Sequence, residues 1–142
     1  MTLMPGTSTQ QYKLELIVDP ERIGQVRGAV LSYVQGCGWG ELDNAASLCV
    51  TELLSNVWKH ADSGECVLLV QPSVCVLRIV VSDNSPQLPV VRGGDALSES
   101  GRGLLLVSNT ADAWGVTVNS SDAGTGKDVW VEFRPQSKRA AA

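Results

Sequence analysis

Residues 41–60 read Glu41-Leu-Asp-Asn-Ala-Ala-Ser-Leu-Cys-Val-Thr-Glu-Leu-Leu-Ser-Asn-Val-Trp-Lys-His60, a run without glycine or proline. Leu42, Ala46, Cys49, Leu53 and Val57 recur every three to four positions, which lines them up as one apolar stripe of an α-helix. Glu52, Asn56 and His60 follow at i, i+4 and i+8, so a carboxylate, a carboxamide and an imidazole lie on neighbouring ground beside that stripe. A helix of this kind is stable only against a second layer. The flanking segments must supply it.

Toward the N-terminus, Tyr12, Leu14, Leu16 and Val18 alternate with Lys13, Glu15 and Ile17, the period of a strand with one more apolar face. Asp19-Pro20-Glu21 has the form of a helix start, Asp as N-cap and Pro in the first turn. Ile23, Val26, Val30 and Val34 then keep helical spacing until Gly36, Gly38 and Gly40, which predicts a helix over about 20–36. Toward the C-terminus, residues 65–71 and 74–82 are dense in Val, Leu and Ile and joined by a short Pro-Ser link, a hairpin pattern ending at Asp83. Residues 84–102 carry Pro86, Pro89, Gly93, Gly94 and Gly101 and read as a long loop. A helix over about 103–111 and strands near 113–119 and 127–134, linked through 120–126, complete the pattern. The order β, α, α, β, β, α, β, β predicts an α+β fold, a two-layer sandwich of a mixed sheet with helices on one face.

The chain of 142 residues is long enough to bury a core without metals or disulfides. Hydrophobic residues make up 44% and charged ones 18%, a globular composition. We expect one domain over 12–134, with flexible tails at 1–11 and 135–142 that lack packing periodicity. The net charge of -4 and pI of about 4.9 argue against direct nucleic-acid binding or an anionic membrane surface. No apolar run approaches the roughly 20 residues that cross a bilayer, and Met1–Gln11 has no secretory pattern, so a cytoplasmic location is expected. Cys37, Cys49, Cys66 and Cys75 form no C-x-x-C pair and read as buried thiols rather than a disulfide framework. Trp39, Trp58, Trp114 and Trp130 are expected mostly in the core.

Three features suggest chemistry. Asn56 offers a neutral oxygen of the kind a hard cation accepts beside phosphates and water. Glu52, one turn away, is placed to take a proton from a hydroxyl or water. On their own, such residues are more often a solvated helix face, and His60 a partner for the helix C-terminus. Gly101-Arg102-Gly103 before Leu104-Leu105-Leu106-Val107 fits a phosphate-binding helix entry, and equally a plain turn. Asp83, at the mouth of the long loop, fits an acceptor for an exocyclic amine, and equally an Asx turn.

In combination these segments resemble the GHKL ATPase superfamily, and more closely its small anti-sigma-factor serine/threonine kinases. Glu52-Leu-Leu-Ser-Asn56-Val-Trp-Lys-His60-Ala61 is similar to the N box. Val81-Ser-Asp83-Asn-Ser-Pro-Gln-Leu-Pro89 is similar to the first glycine box, and Gly101-Arg102-Gly103-Leu104 to the second. The resemblance implies a Bergerat sandwich with ATP between the helices under a lid over 84–102. It assigns Mg2+ to Asn56, the general base to Glu52 and the adenine amino group to Asp83. It also places Gly101, Arg102, Gly103 and Leu104 near the phosphates and His60 within the nucleotide site. Implied partners are a sigma factor or an anti-anti-sigma antagonist whose Ser or Thr is phosphorylated, and possibly a second copy of the chain as a homodimer.

The sequence departs from the family pattern at two places. Ser85 and Gln87, flanking Pro86, stand where the first glycine box has glycines, so side chains occupy ground normally left to bare backbone. The last box, Gly124-Thr125-Gly126-Lys127-Asp128, offers Thr125 as its candidate near the adenine. The alternative expectation is therefore a catalytically weak module of the same fold that sequesters a regulatory protein.

Overall fold

The computed structural model describes residues 11–60, 63–85, 99–121 and 124–135. Strand β1 spans Tyr12–Ile17. Asp19 caps the next turn, its Oδ1 accepting from the Glu21 N–H at 3.0 Å, and a short 3-10 turn at Pro20–Arg22 leads into helix α1, Ile23–Gly36. A second such turn, Gly40–Leu42, precedes helix α2, Asp43–His60. Strands β2 (Glu65–Pro72) and β3 (Leu77–Asp83), helix α3 (Glu99–Thr110), and strands β4 (Ala113–Ser121) and β5 (Gly124–Phe133) follow.

The predicted α+β class holds, but the sheet is not mixed. Its order is β1-β2-β3-β5-β4, and all four neighbouring pairs are antiparallel. The connections explain this. Two helices in succession return the chain so that β2 runs against β1. The single helix α3 makes β3 and β4 parallel in direction, yet β5 is inserted between them, antiparallel to both.

Period-two alternation sorts the side chains. Leu68 and Val70 from β2, Leu77, Ile79 and Val81 from β3, and Val129, Val131 and Phe133 from β5 are buried beneath the helices. They meet Val30 and Val34 of α1, Val107 of α3, and the α2 stripe of Ala46, Cys49, Leu53 and Val57, joined by Val50 and Leu54. Full burial of each such Val or Leu is worth roughly 1.5–3 kcal/mol, which is why α2, apolar along more than one row, sits at the centre of the helix layer. Arg27 of α1 ties the two helices together with a hydrogen bond to Thr51 Oγ1 at 3.1 Å.

Several boundaries move. The hairpin link is Ser73–Val76 rather than a Pro-Ser pair, and Val74, read as strand, is 93% exposed in it. Helix α3 begins at Glu99, so Gly101 and Gly103 lie within its first turns and not ahead of it. The β4–β5 hairpin is longer and tighter than the expected linker of 120–126, since pairing continues to Ser121↔Gly124. Of the expected lid, residues 86–98 lie outside the described residues, while 84 and 85 close β3 and 99–102 are helical. Of the expected tails, only Gln11 and Pro135 are described.

All four cysteines are unbridged; Cys49 and Cys66 are buried as expected, whereas Cys37 is half-buried and Cys75 exposed. Trp39 is the one core tryptophan, Trp114 packs beside the core, and Trp58 is exposed. Trp130 instead lies on the face of the sheet away from the helices, under the Arg78 guanidinium at 4.7 Å. No described helix is long and apolar enough to cross a membrane.

Candidate functional site

Glu52 and Asn56 are both half-buried on α2. Neither side chain hydrogen-bonds another described residue, so both keep their polar capacity for something else. The side of α2 that carries Glu52 is packed against α3. A Cβ placed on Gly103 would overlap the Glu52 carboxylate, so only glycine at this buried position lets the acid lie directly on α3. Here the close approach, and not a turn, is what the glycine is for. Leu104, 1% exposed, anchors the same turn in the interior.

The amide groups at the start of α3 have no intrahelical partners and carry the positive end of the helix dipole. Gly101 and Arg102 belong to this turn, although the Arg102 side chain lies outside the described residues. Glu52 and Gly103 thus meet where α2 packs on α3, with Leu104 next to Gly103 and Asn56 one turn along α2 from Glu52. The negative charge of Glu52 also reaches Cys49. Burial first, then that carboxylate, push the Cys49 thiol up to about 12, so it stays protonated and is no nucleophile.

The other end of the site is built by the sheet. Leu16, Cys66, Asp83 and Lys127 occupy successive positions of one cross-strand row. This row is in phase with the buried positions of β3 and β5, so Asp83 and Lys127 turn toward the helices. Their side chains are only 4% and 6% exposed, and Lys127 Nζ lies 2.9 Å from Asp83 Oδ1. The same oxygen accepts from the Ser85 N–H at 2.9 Å, the Asx turn that ends β3. Lys127 Nζ donates further to the Ser85 carbonyl at 3.3 Å. A Cβ on Gly126 would strike the Asp83 carbonyl, so its absence keeps β5 close enough to β3 for the pair to form. Cys66, next along the row, has its thiol pushed up to about 12 by burial and secondarily by the Asp83 carboxylate.

His60 ends α2 at this same pole, where its carbonyl accepts from Ser85 Oγ at 3.5 Å. Ser85 is buried in place of a glycine. Gln87 and Pro86 lie outside the described residues. Thr125 does not join the site: it is exposed and opposite Ser120, beyond the end of β3. Lys127 takes that ground instead, a residue type that the threonine of the family pattern does not announce. Counting inward positions back from Phe133, Val131 and Val129 would have found a lysine pointing into the interior.

Among the described residues no group of three His, Cys, Asp or Glu side chains converges as a self-sufficient metal site. The donor chemistry at Asn56 suits magnesium shared with phosphate oxygens better than a caged ion. The uncommitted carboxamide and the amide dipoles of the α3 N-terminus suit a magnesium nucleotide. A search of curated proteins finds no matching relative. The histidine kinase-like ATPase domain, however, matches residues 16–133, spanning every element from the end of β1 to the end of β5. The chain therefore belongs to the histidine kinase-like ATPase domain family.

Proposed function

We propose that this domain binds ATP with Mg2+ and serves as a regulatory protein serine/threonine kinase of the anti-sigma-factor kind. The observation that carries the reading is the Glu52 carboxylate, held on α3 one helical turn from an uncommitted Asn56. Bound ATP and magnesium would supply the transferable phosphoryl group and neutralise its charge. The chain's own part is positioning, which is most of what phosphoryl transfer requires. Asn56 would offer its carboxamide oxygen to the metal, the first turn of α3 its amide groups to phosphate, and Asp83 an acceptor to the adenine amine. Glu52 would take the proton of the attacking Ser or Thr hydroxyl of an anti-anti-sigma antagonist. A sigma factor as second partner, self-association and a cytoplasmic setting accord with this reading.

A second reading, a weakly catalytic module that sequesters its partner, draws support from Ser85, a buried side chain where the family has bare backbone. Titration with ATP and Mg2+ separates the two. Asn56→Ala is expected to weaken magnesium-dependent nucleotide binding, and Glu52→Ala to spare binding while abolishing transfer to a cognate antagonist. Absence of nucleotide binding by the unmutated protein would remove the kinase reading and leave the binding module.

A further inference from the structure

Lysine is seldom fully buried, and a buried ammonium needs acceptors for three N–H groups. Lys127 is 5% exposed, and its bonds to described residues account for two, Asp83 Oδ1 and the Ser85 carbonyl. Ionic neutrality is already met by Asp83, so the third N–H has no structural task among the described residues. The bonds to Asp83 likewise both fall on Oδ1. The pair therefore offers a side-by-side donor, from Lys127 Nζ, and acceptor, Asp83 Oδ2. They sit at the end of β3, by the C-terminus of the helix that carries Asn56.

We propose that Lys127 is a specificity-determining residue of the nucleotide site, donating a hydrogen bond to N1 of adenine while Asp83 accepts from the 6-amino group. The inference rests on the ATP-binding reading above and extends it from one contact to a two-point reading of the base edge. Adenine presents an acceptor, N1, beside a donor, the 6-amino group, in the complementary order. A carboxylate alone recognises only the amine. With Lys127 beside it, removal of the ring nitrogen should cost about as much as removal of the amine, because each leaves one polar atom of the buried pair, the third Lys127 N–H or Asp83 Oδ2, unmatched. Gly126 serves the same end, since any side chain there would separate β3 from β5 and pull Lys127 off Asp83.

The experiment measures binding of three magnesium nucleotides to the full chain: ATP, 1-deaza-ATP, in which N1 is a C–H, and purine riboside triphosphate, which lacks the amine. The unmutated protein should prefer ATP over each analogue by about tenfold or more, the range of a hydrogen bond to a charged group. Lys127→Met should bind ATP and 1-deaza-ATP alike yet still disfavour purine riboside triphosphate. If Lys127→Met does not fold, the comparison within the unmutated protein decides by itself. Equal binding of ATP and 1-deaza-ATP there would overturn the assignment of Lys127 and leave ATP binding intact. Binding of none of the three would refute the nucleotide reading, and this inference with it.

Discussion

Replacing Gly103 with alanine sets two effects of known size against each other. In a helix interior, alanine is favoured over glycine by about 1 kcal/mol. For a domain of this length that is a rise in Tm of roughly 3 °C. The added methyl, however, lands on the Glu52 carboxylate. The obstructing atom is the end of a flexible side chain, so Glu52 should rotate away at a cost on the order of 1 kcal/mol for a less favourable rotamer and lost packing. The two effects nearly cancel. Gly103→Ala should therefore leave stability within about 1 kcal/mol of the parent, while under the proposed kinase function phosphoryl transfer falls by the factor lost in Glu52→Ala, typically 10²–10⁴ for a general base. A double-mutant cycle sharpens the test: in a Glu52→Ala background the clash is gone, and Gly103→Ala should show the full gain of about 1 kcal/mol. Denaturant unfolding of the four proteins measures this. Equal stabilisation in both backgrounds would show that Glu52 does not lie against α3, and the site as described would be wrong.

Two further outcomes follow from the thiols. Cys49 and Cys66 rise from an ordinary 9.0 to about 12, so the unfolded chain loses their protons first. Their contribution is complete below pH 9 and is lost as pH climbs toward 12. Each thiol should forfeit about 1.4 kcal/mol by pH 10, and the fall in stability between pH 8 and 10 should be shallower by roughly twice that in Cys49→Ala/Cys66→Ala; equal slopes would contradict the burial described. A thiol reagent at neutral pH should modify exposed Cys75 first and half-buried Cys37 more slowly, reaching Cys49 and Cys66 only on unfolding. Mass spectrometry of the time course reads the order, and early labelling of Cys66 would count against the closed row beside Asp83.

Local periodicity made most of the elements legible. The stripe of α2 and the alternation in β1 write burial into residue spacing, while β2 and β3 announce themselves as dense runs of Val, Leu and Ile. What periodicity does not encode is which strands become neighbours. The insertion of β5 between β3 and β4 depends on a hairpin and a crossover acting together, so a mixed sheet was the natural expectation and an antiparallel one the result. The start of α3 was obscured for another reason. Ser98-Glu99-Ser100-Gly101 contains poor helix formers and no apolar period, yet the packing of Gly103 on Glu52 and of Leu104 in the core holds that turn in place. Of the candidate site, the helix-borne half was readable because Glu52 and Asn56 share one face of one element. Of the sheet-borne half, Asp83 stood out at the end of its strand, but its pairing with Lys127 did not, because the two are 44 positions apart and meet only through strand register.

The insertion of β5 also bears on the order in which the chain emerges during synthesis. Until residues 124–133 leave the ribosome, β4 has no neighbour to pair with and one edge of β3 is bare. The last strand of this sheet in chain order is an interior one, joined to β3 at least 44 residues back, the kind of contact that forms late. It also brings Lys127 to Asp83. The growing polypeptide should therefore pass from an open, aggregation-exposed set of strands to a closed sheet in a single step, and competence to hold a base should arrive in that same step.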